Sequence, residues 1–201
     1  SARNDLDQAL ESEPENAALH ATLGTLLLRK GETERALSRF TRALELGSRD
    51  ATVYVHRAET LQSLGDPEGA IRDYGLAIEI EPTTVVAYSR RSSLLGDRGD
   101  LRGALRDLTF AIRLDRNDPV LLLDRARIRR LSGDRGGALE DLKRSIEIDS
   151  HRWLTWVSYA HLLRDLERHD ESLRALEHAG QLAPAIERPR LEELARRWGG
   201  G

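Results

Sequence analysis

The chain has 201 residues, a formal net charge of −3, 32% charged and 39% hydrophobic residues, and only 4% aromatics. The near-balanced charge excludes a global drive toward nucleic acid or anionic membrane, and no apolar run is long enough for a helical membrane span. Without cysteine there can be no disulfide, thiol catalysis or Cys-type zinc site.

Residues 1–16 are not a random tail. Ala2, Leu6, Ala9 and Pro14 stand at the spacing of small, large and closing residues that later second helices repeat. They read as the second helix of a repeat whose first helix is missing. Such an edge exposes an apolar flank, for upstream repeats or a partner to cover. The protein lacks Met even at its start, so a trimmed fragment or a processed product is expected; a targeting segment could lie outside it, and the expected compartment is the cytoplasm.

From residue 17 to 186 one frame of 34 residues recurs five times without insertion: 17–50, 51–84, 85–118, 119–152 and 153–186. Residues 51–84 show it most plainly. Small residues Ala58, Ala70 and Ala77 take positions 8, 20 and 27, and Tyr54, Leu61, Tyr74 and Ile80 fall between them at helical spacing. Gly65 suits a left-handed helix end, Asp66 can cap the next helix, Pro67 fits its first turn and Pro82 closes it. The unit is therefore helix, tight turn, helix, tight turn. One such hairpin cannot bury both faces and must stack on copies of itself. Departures are local. His20 stands where an aromatic recurs, Arg129 replaces a large apolar residue, and Glu167 replaces the mid-repeat glycine.

Residues 187–198 read as a closing helix with Leu191, Leu194, Ala195 and Trp198 on one stripe and Glu192, Glu193, Arg196 and Arg197 opposite. A cap is the favoured role, and a membrane-surface or partner-binding helix the alternative. Residues 199–201 read as a flexible end.

A charge pattern runs through the middle repeats. Position 7 is Arg57, Arg91 and Arg125, and position 23 of the same repeats is Asp73, Asp107 and Asp141; the first and last repeats have neither combination. The two positions flank the small contacts at 8 and 20, which predicts Arg–Asp pairs between the two helices of each middle repeat. A guanidinium meets a carboxylate with two parallel hydrogen bonds, which lysine cannot do. Duplication of one repeat would also carry both residues along.

An aromatic at 4, small residues at 8, 20 and 27, an aromatic at 24 and Pro at 32 resemble the tetratricopeptide repeat. The resemblance covers about nine-tenths of the sequence. It implies an all-α, right-handed superhelical solenoid of antiparallel helix pairs with a C-terminal capping helix, and a concave groove lined by the first helices that holds an extended peptide. Carried over, the groove residues include His56 and Glu59, then Arg90 and Ser93, then Asp124, Arg127 and Arg130, then His161 and Arg164. The chaperone-tail clamp pattern is not matched: only Arg90 of Ala21, Thr25, His56, Val86 and Arg90 agrees. An asparagine ladder is also absent. What remains is a basic bias at Arg90, Arg127, Arg130 and Arg164, opposed by Asp97, Asp124 and Asp165. It suits an acidic or C-terminal-carboxylate peptide, or is a solvated mixed-charge face. The imbalance of 29 Arg to 2 Lys reads either as coding bias or as an anion-binding surface.

No phosphate-binding, dinucleotide, HExxH or GxSxG motif occurs, the histidines are scattered, and no carboxylate pair stands out. Arg98-Gly99-Asp100 is the ordinary mid-repeat turn. No catalytic residue, cofactor or metal is expected, and no nucleic acid or membrane partner. The reading is a non-catalytic module that binds a protein or peptide. The alternatives are a substrate-selecting arm of a larger enzyme and a homo-oligomeric scaffold assembled through residues 1–16.

Overall fold

The computed structural model describes residues 8–199. Ala2 and Leu6 of the half-repeat and the last two glycines lie outside that span. The described residues are helices joined by turns, without strands. They divide into two compact units, one up to Leu95 and one from Gly96 on.

The first unit holds α1 (described over residues 8–12), α2 (Ala17–Arg29), α3 (Thr33–Glu45), α4 (Ala51–Ser63), α5 (Pro67–Ile80) and most of α6 (Val85–Asp97). Helices α2, α4 and α5 start where side groups satisfy free N–H groups of the first turn, whereas Glu32 before α3 makes no such bond. Asn16 accepts from Ala18 and Leu19, Asp50 from Thr52, and Asp66 from Gly69. Helices α2, α3 and α4 stop where the backbone turns left-handed, at Gly31, Gly47 and Gly65, whereas α5 stops at Glu81 in extended backbone. Helices α2 and α3 pack through Leu23, Leu27, Ala36, Phe40 and Ala43. A Cβ added at Gly24 would lie 2.7 Å from the Phe40 ring, so the small residue sets how closely this pair approaches. Helices α4 and α5 pack through Ala58, Ala70, Tyr74 and Ala77, all fully buried. His20 fills its aromatic position as a buried residue whose Nε2 meets the Pro14 carbonyl at 3.0 Å.

The second unit holds α7 (Leu101–Leu114), α8 (Pro119–Leu131), α9 (Arg135–Ile148), α10 (Trp153–Asp165), α11 (His169–Leu182) and α12 (Arg188–Gly199). The carboxylates of Asp100, Asp118 and Asp134 cap α7, α8 and α9, whereas the residues preceding α10 and α11, Arg152 and Arg168, make no such bond. Ala126, Ala138, Leu142 and Leu162 form one core cluster, and Ala160, Leu163, Leu176, Ala179 and Leu191 another. The second cluster reaches α12, whose Leu194, Ala195 and Trp198 pack against it. Glu167 takes the left-handed turn between α10 and α11 at φ 61°, without a glycine.

Candidate peptide-binding surface

The 34-residue spacing puts first helices at α2, α4, α6, α8 and α10. In the first unit, His56 and Glu59 are half-buried on α4, Arg90 is exposed on α6 and Ser93 half-buried beside it. His56 meets Thr25 across from α2, with Oγ1 to Nδ1 at 3.4 Å, and its ring lies 5.8 Å from that of Phe40. Glu59 and Arg90 both act electrostatically on Tyr74, whose hydroxyl burial pushes well above the ordinary phenol range. The Tyr74 hydroxyl is buried without a hydrogen-bond partner among the described residues.

In the second unit, Arg127, Arg130 and Arg164 are exposed, and Asp124 and His161 half-buried. Arg127, Arg130, Ser158 and His161 meet around one recess of about 120 Å³, floored by Ala126 and Leu142. Arg130 donates to Asp165 at 3.0 Å, and Arg127 lies 3.9 Å from Asp97. The exposed apolar residues Val120, Leu131 and Leu154 belong to the same two first helices. The recess itself is amphipathic rather than simply basic, with Ala126 and Leu142 beside the two arginines.

His161 and Arg164 also share an aromatic neighbour. The Trp198 ring of α12 stands edge-on to His161 at 4.9 Å, and the Arg164 guanidinium lies 4.6 Å from the Trp198 centroid. From the sequence, Trp198 is assigned to the cap stripe alone. The signal that could have placed it here is the repeat frame, because Trp198 falls at position 12 of the next 34-residue period, where Arg130 and Arg164 stand in theirs.

Two of the three Arg–Asp combinations are mostly buried supports between paired helices. Arg57 Nε donates to Asp73 Oδ2 at 2.6 Å and Nη2 to Oδ1 at 2.7 Å, joining α4 to α5. Hydrogen bonding to Asp73 raises the Arg57 pKa further, against the cost of burial. Arg125 makes the same fork onto Asp141, at 2.9 and 2.7 Å. Arg129 donates to the same carboxylate at 2.9 Å and to the Gly137 carbonyl at 2.9 Å. Its place at an apolar position is thereby explained: Asp141 is 4% exposed and takes hydrogen bonds from two guanidiniums. Arg91 belongs to the first unit and is half-buried, and Asp107 is buried in the second.

Among the described residues no group of three or more His, Asp or Glu residues is placed to hold a metal ion. None of the described helices is long and apolar enough to cross a membrane.

The tetratricopeptide-repeat family model matches residues 21–83. No curated protein matches the sequence significantly. Solved structures share the fold at low identity. YrrB, described as a TPR protein with an unusual peptide-binding site, is 21% identical at a TM-score of 0.80, and the match covers 96% of this protein and 97% of that one. MamA from Desulfovibrio magneticus RS-1 is 18% identical over 87% and 96% of the two proteins, at a TM-score of 0.73. Yeast Tom70 is 18% identical over 98% of this protein and 42% of its own length, also at 0.73. Residues 21–83 thus match the tetratricopeptide-repeat family model, and the described helix pairs are similar in fold to these solved structures.

Proposed function

We propose that the protein is a non-catalytic interaction module that binds a peptide segment of a partner on its first helices, and that the second unit's lining prefers an acidic segment. The observation that carries this is the recess between α8 and α10, with Ala126 and Leu142 as floor and Arg127, Arg130, Ser158 and His161 as walls. An apolar floor with cationic and hydroxyl walls suits a ligand group that has an apolar stem and a carboxylate head. The aspartates beside Arg127 and Arg130 do not close the site. Exposed ion pairs contribute about 0–1 kcal/mol, so a ligand carboxylate that forms better-aligned hydrogen bonds can displace them. The residues that form the recess are seated on packed helices, so the site pays little ordering cost on binding. His56, Glu59, Arg90 and Ser93 are the proposed ligand contacts within the first unit, taken by itself. YrrB's described peptide-binding site favours a peptide ligand by analogy of fold.

A photo-crosslinking residue at Ser158 tests the reading. It should capture a partner whose cross-linked segment contains Asp, Glu or a terminal carboxylate. Arg127→Ala combined with Arg130→Ala should then weaken that segment's binding by about tenfold or more, which is about 1.4 kcal/mol. Capture from Glu140 on α9 in preference to Ser158, or an unchanged affinity in the double variant, would contradict it.

A further inference from the structure

We propose that the outward side of α7 is a second docking surface, for an acidic protein helix that carries one apolar anchor. Arg102, Arg106 and Arg113 are exposed and spaced four and seven apart, so they share one side of the helix. With Leu105, Thr109 and Phe110 they line a shallow recess of about 490 Å³. Phe110 keeps 48% of its surface exposed, and the Arg113 guanidinium carbon lies 5.5 Å from its ring centroid. That stacking holds a cation beside an apolar anchor point.

These arginines differ from those of the first-helix lining. Arg127 and Arg130 face Asp97 and Asp165, whereas among the described residues Arg102, Arg106 and Arg113 enter no ion pair. The one acid of α7, Asp107, is buried. The other second helices do not repeat the pattern. Where α7 has Arg102 and Arg113, α3 has Glu34 and Glu45, α5 has Glu68 and Glu79, and α11 has Asp170 and Gln181. One helix of a nearly neutral protein therefore carries three uncompensated cations around an exposed ring.

Charge complementarity selects an acidic occupant, and the layout selects a helix. Carboxylates spaced four and seven apart on a partner helix would reach all three guanidiniums, with a Leu or Ile group against Phe110. An anionic lipid surface fits less well. Helix α9 of the same unit exposes Glu140 and Glu147 at the positions that match Arg106 and Arg113, and a flat anionic surface would meet those too.

The test uses the whole protein and a designed helical peptide of about 18 residues, with Glu at the matching spacing and one Leu between the last two. A control peptide has Lys for each Glu. Fluorescence anisotropy should show saturable binding of the Glu peptide, at least about tenfold tighter than the Lys peptide and weakening as salt rises. Arg102→Glu/Arg106→Glu/Arg113→Glu should abolish it, and Phe110→Ala should weaken it by about tenfold. Circular dichroism checks that both variants stay helical. Arg127→Ala/Arg130→Ala should leave this binding unchanged, which separates it from the peptide-lining proposal. Absent or equal binding of the two peptides, or full binding by the triple variant, would overturn the inference. So would stronger binding to phosphatidylserine vesicles or to an oligouridine than to the Glu peptide. A concentration-dependent mass that the triple variant loses would assign the face to a second copy and overturn it as well.

Discussion

Glu167 holds the place that Gly31, Gly65, Gly99 and Gly133 take in the other repeats, and its backbone adopts the same left-handed conformation, at φ 61° against 75–85°. A residue with a Cβ there costs about 1–2 kcal/mol relative to glycine. Glu167→Gly should therefore raise stability by about 1 kcal/mol, read as a higher urea midpoint at unchanged slope. An unchanged or lower midpoint would mean that the carboxylate arm of Glu167 supplies a compensating interaction. The sequence showed that the glycine was missing but not that the turn would persist, because neighbouring helix packing imposes it. His161 carries a pH prediction of its own. Burial holds its imidazole below the ordinary histidine range, Arg130 and Arg164 push the same way, and Asp165 opposes them. As pH falls below about 6.5 the unfolded state takes up this proton before the folded one, so stability falls with it. His161→Gln should flatten that part of the acid limb between pH 7.5 and 5. A limb of unchanged steepness would show that His161 does not link folding to pH.

At the scale of elements, helix pairs are joined by small-residue contacts and by buried guanidinium–carboxylate forks. Arg57 is 21% exposed and Asp73 5%, so the α4–α5 fork lies mostly out of water. Removing one partner of a buried pair costs about 3–5 kcal/mol, and the partial exposure of Arg57 brings the expected loss toward or below the low end. Arg57→Leu should thus destabilise more than Arg57→Leu combined with Asp73→Leu, because the single change strands a carboxylate. Equal losses in chemical denaturation would show that the pair contributes through packing alone. The spacing of Arg57 with Asp73 and of Arg125 with Asp141 was readable from the repeat frame. The part of Arg129 was not, since a lone sequence shows only an apolar position filled by arginine. Its reason is the second guanidinium that Asp141 accepts, and that contact exists only once α8 and α9 pack.

At the scale of the whole molecule, the helix order was legible because the 34-residue period recurs with small residues at positions 8, 20 and 27, a mid-period turn glycine in four of the five periods and a capping aspartate after it in three. Candidate lining residues could be numbered from the same frame. Their surroundings could not, because they depend on contacts between different repeats. Arg130 with Asp165 and Trp198 against His161 and Arg164 join residues far apart in the sequence. The net charge of −3 likewise conceals local cationic groups on α7, α8 and α10. Partners, in the proposed function, are held by first helices. Amide hydrogen exchange, with and without the segment captured through Ser158, tests this most directly. Bound segment should slow exchange in α8 and α10 and leave α9 and α11 as they were. Protection confined to α9 and α11 would contradict the claim.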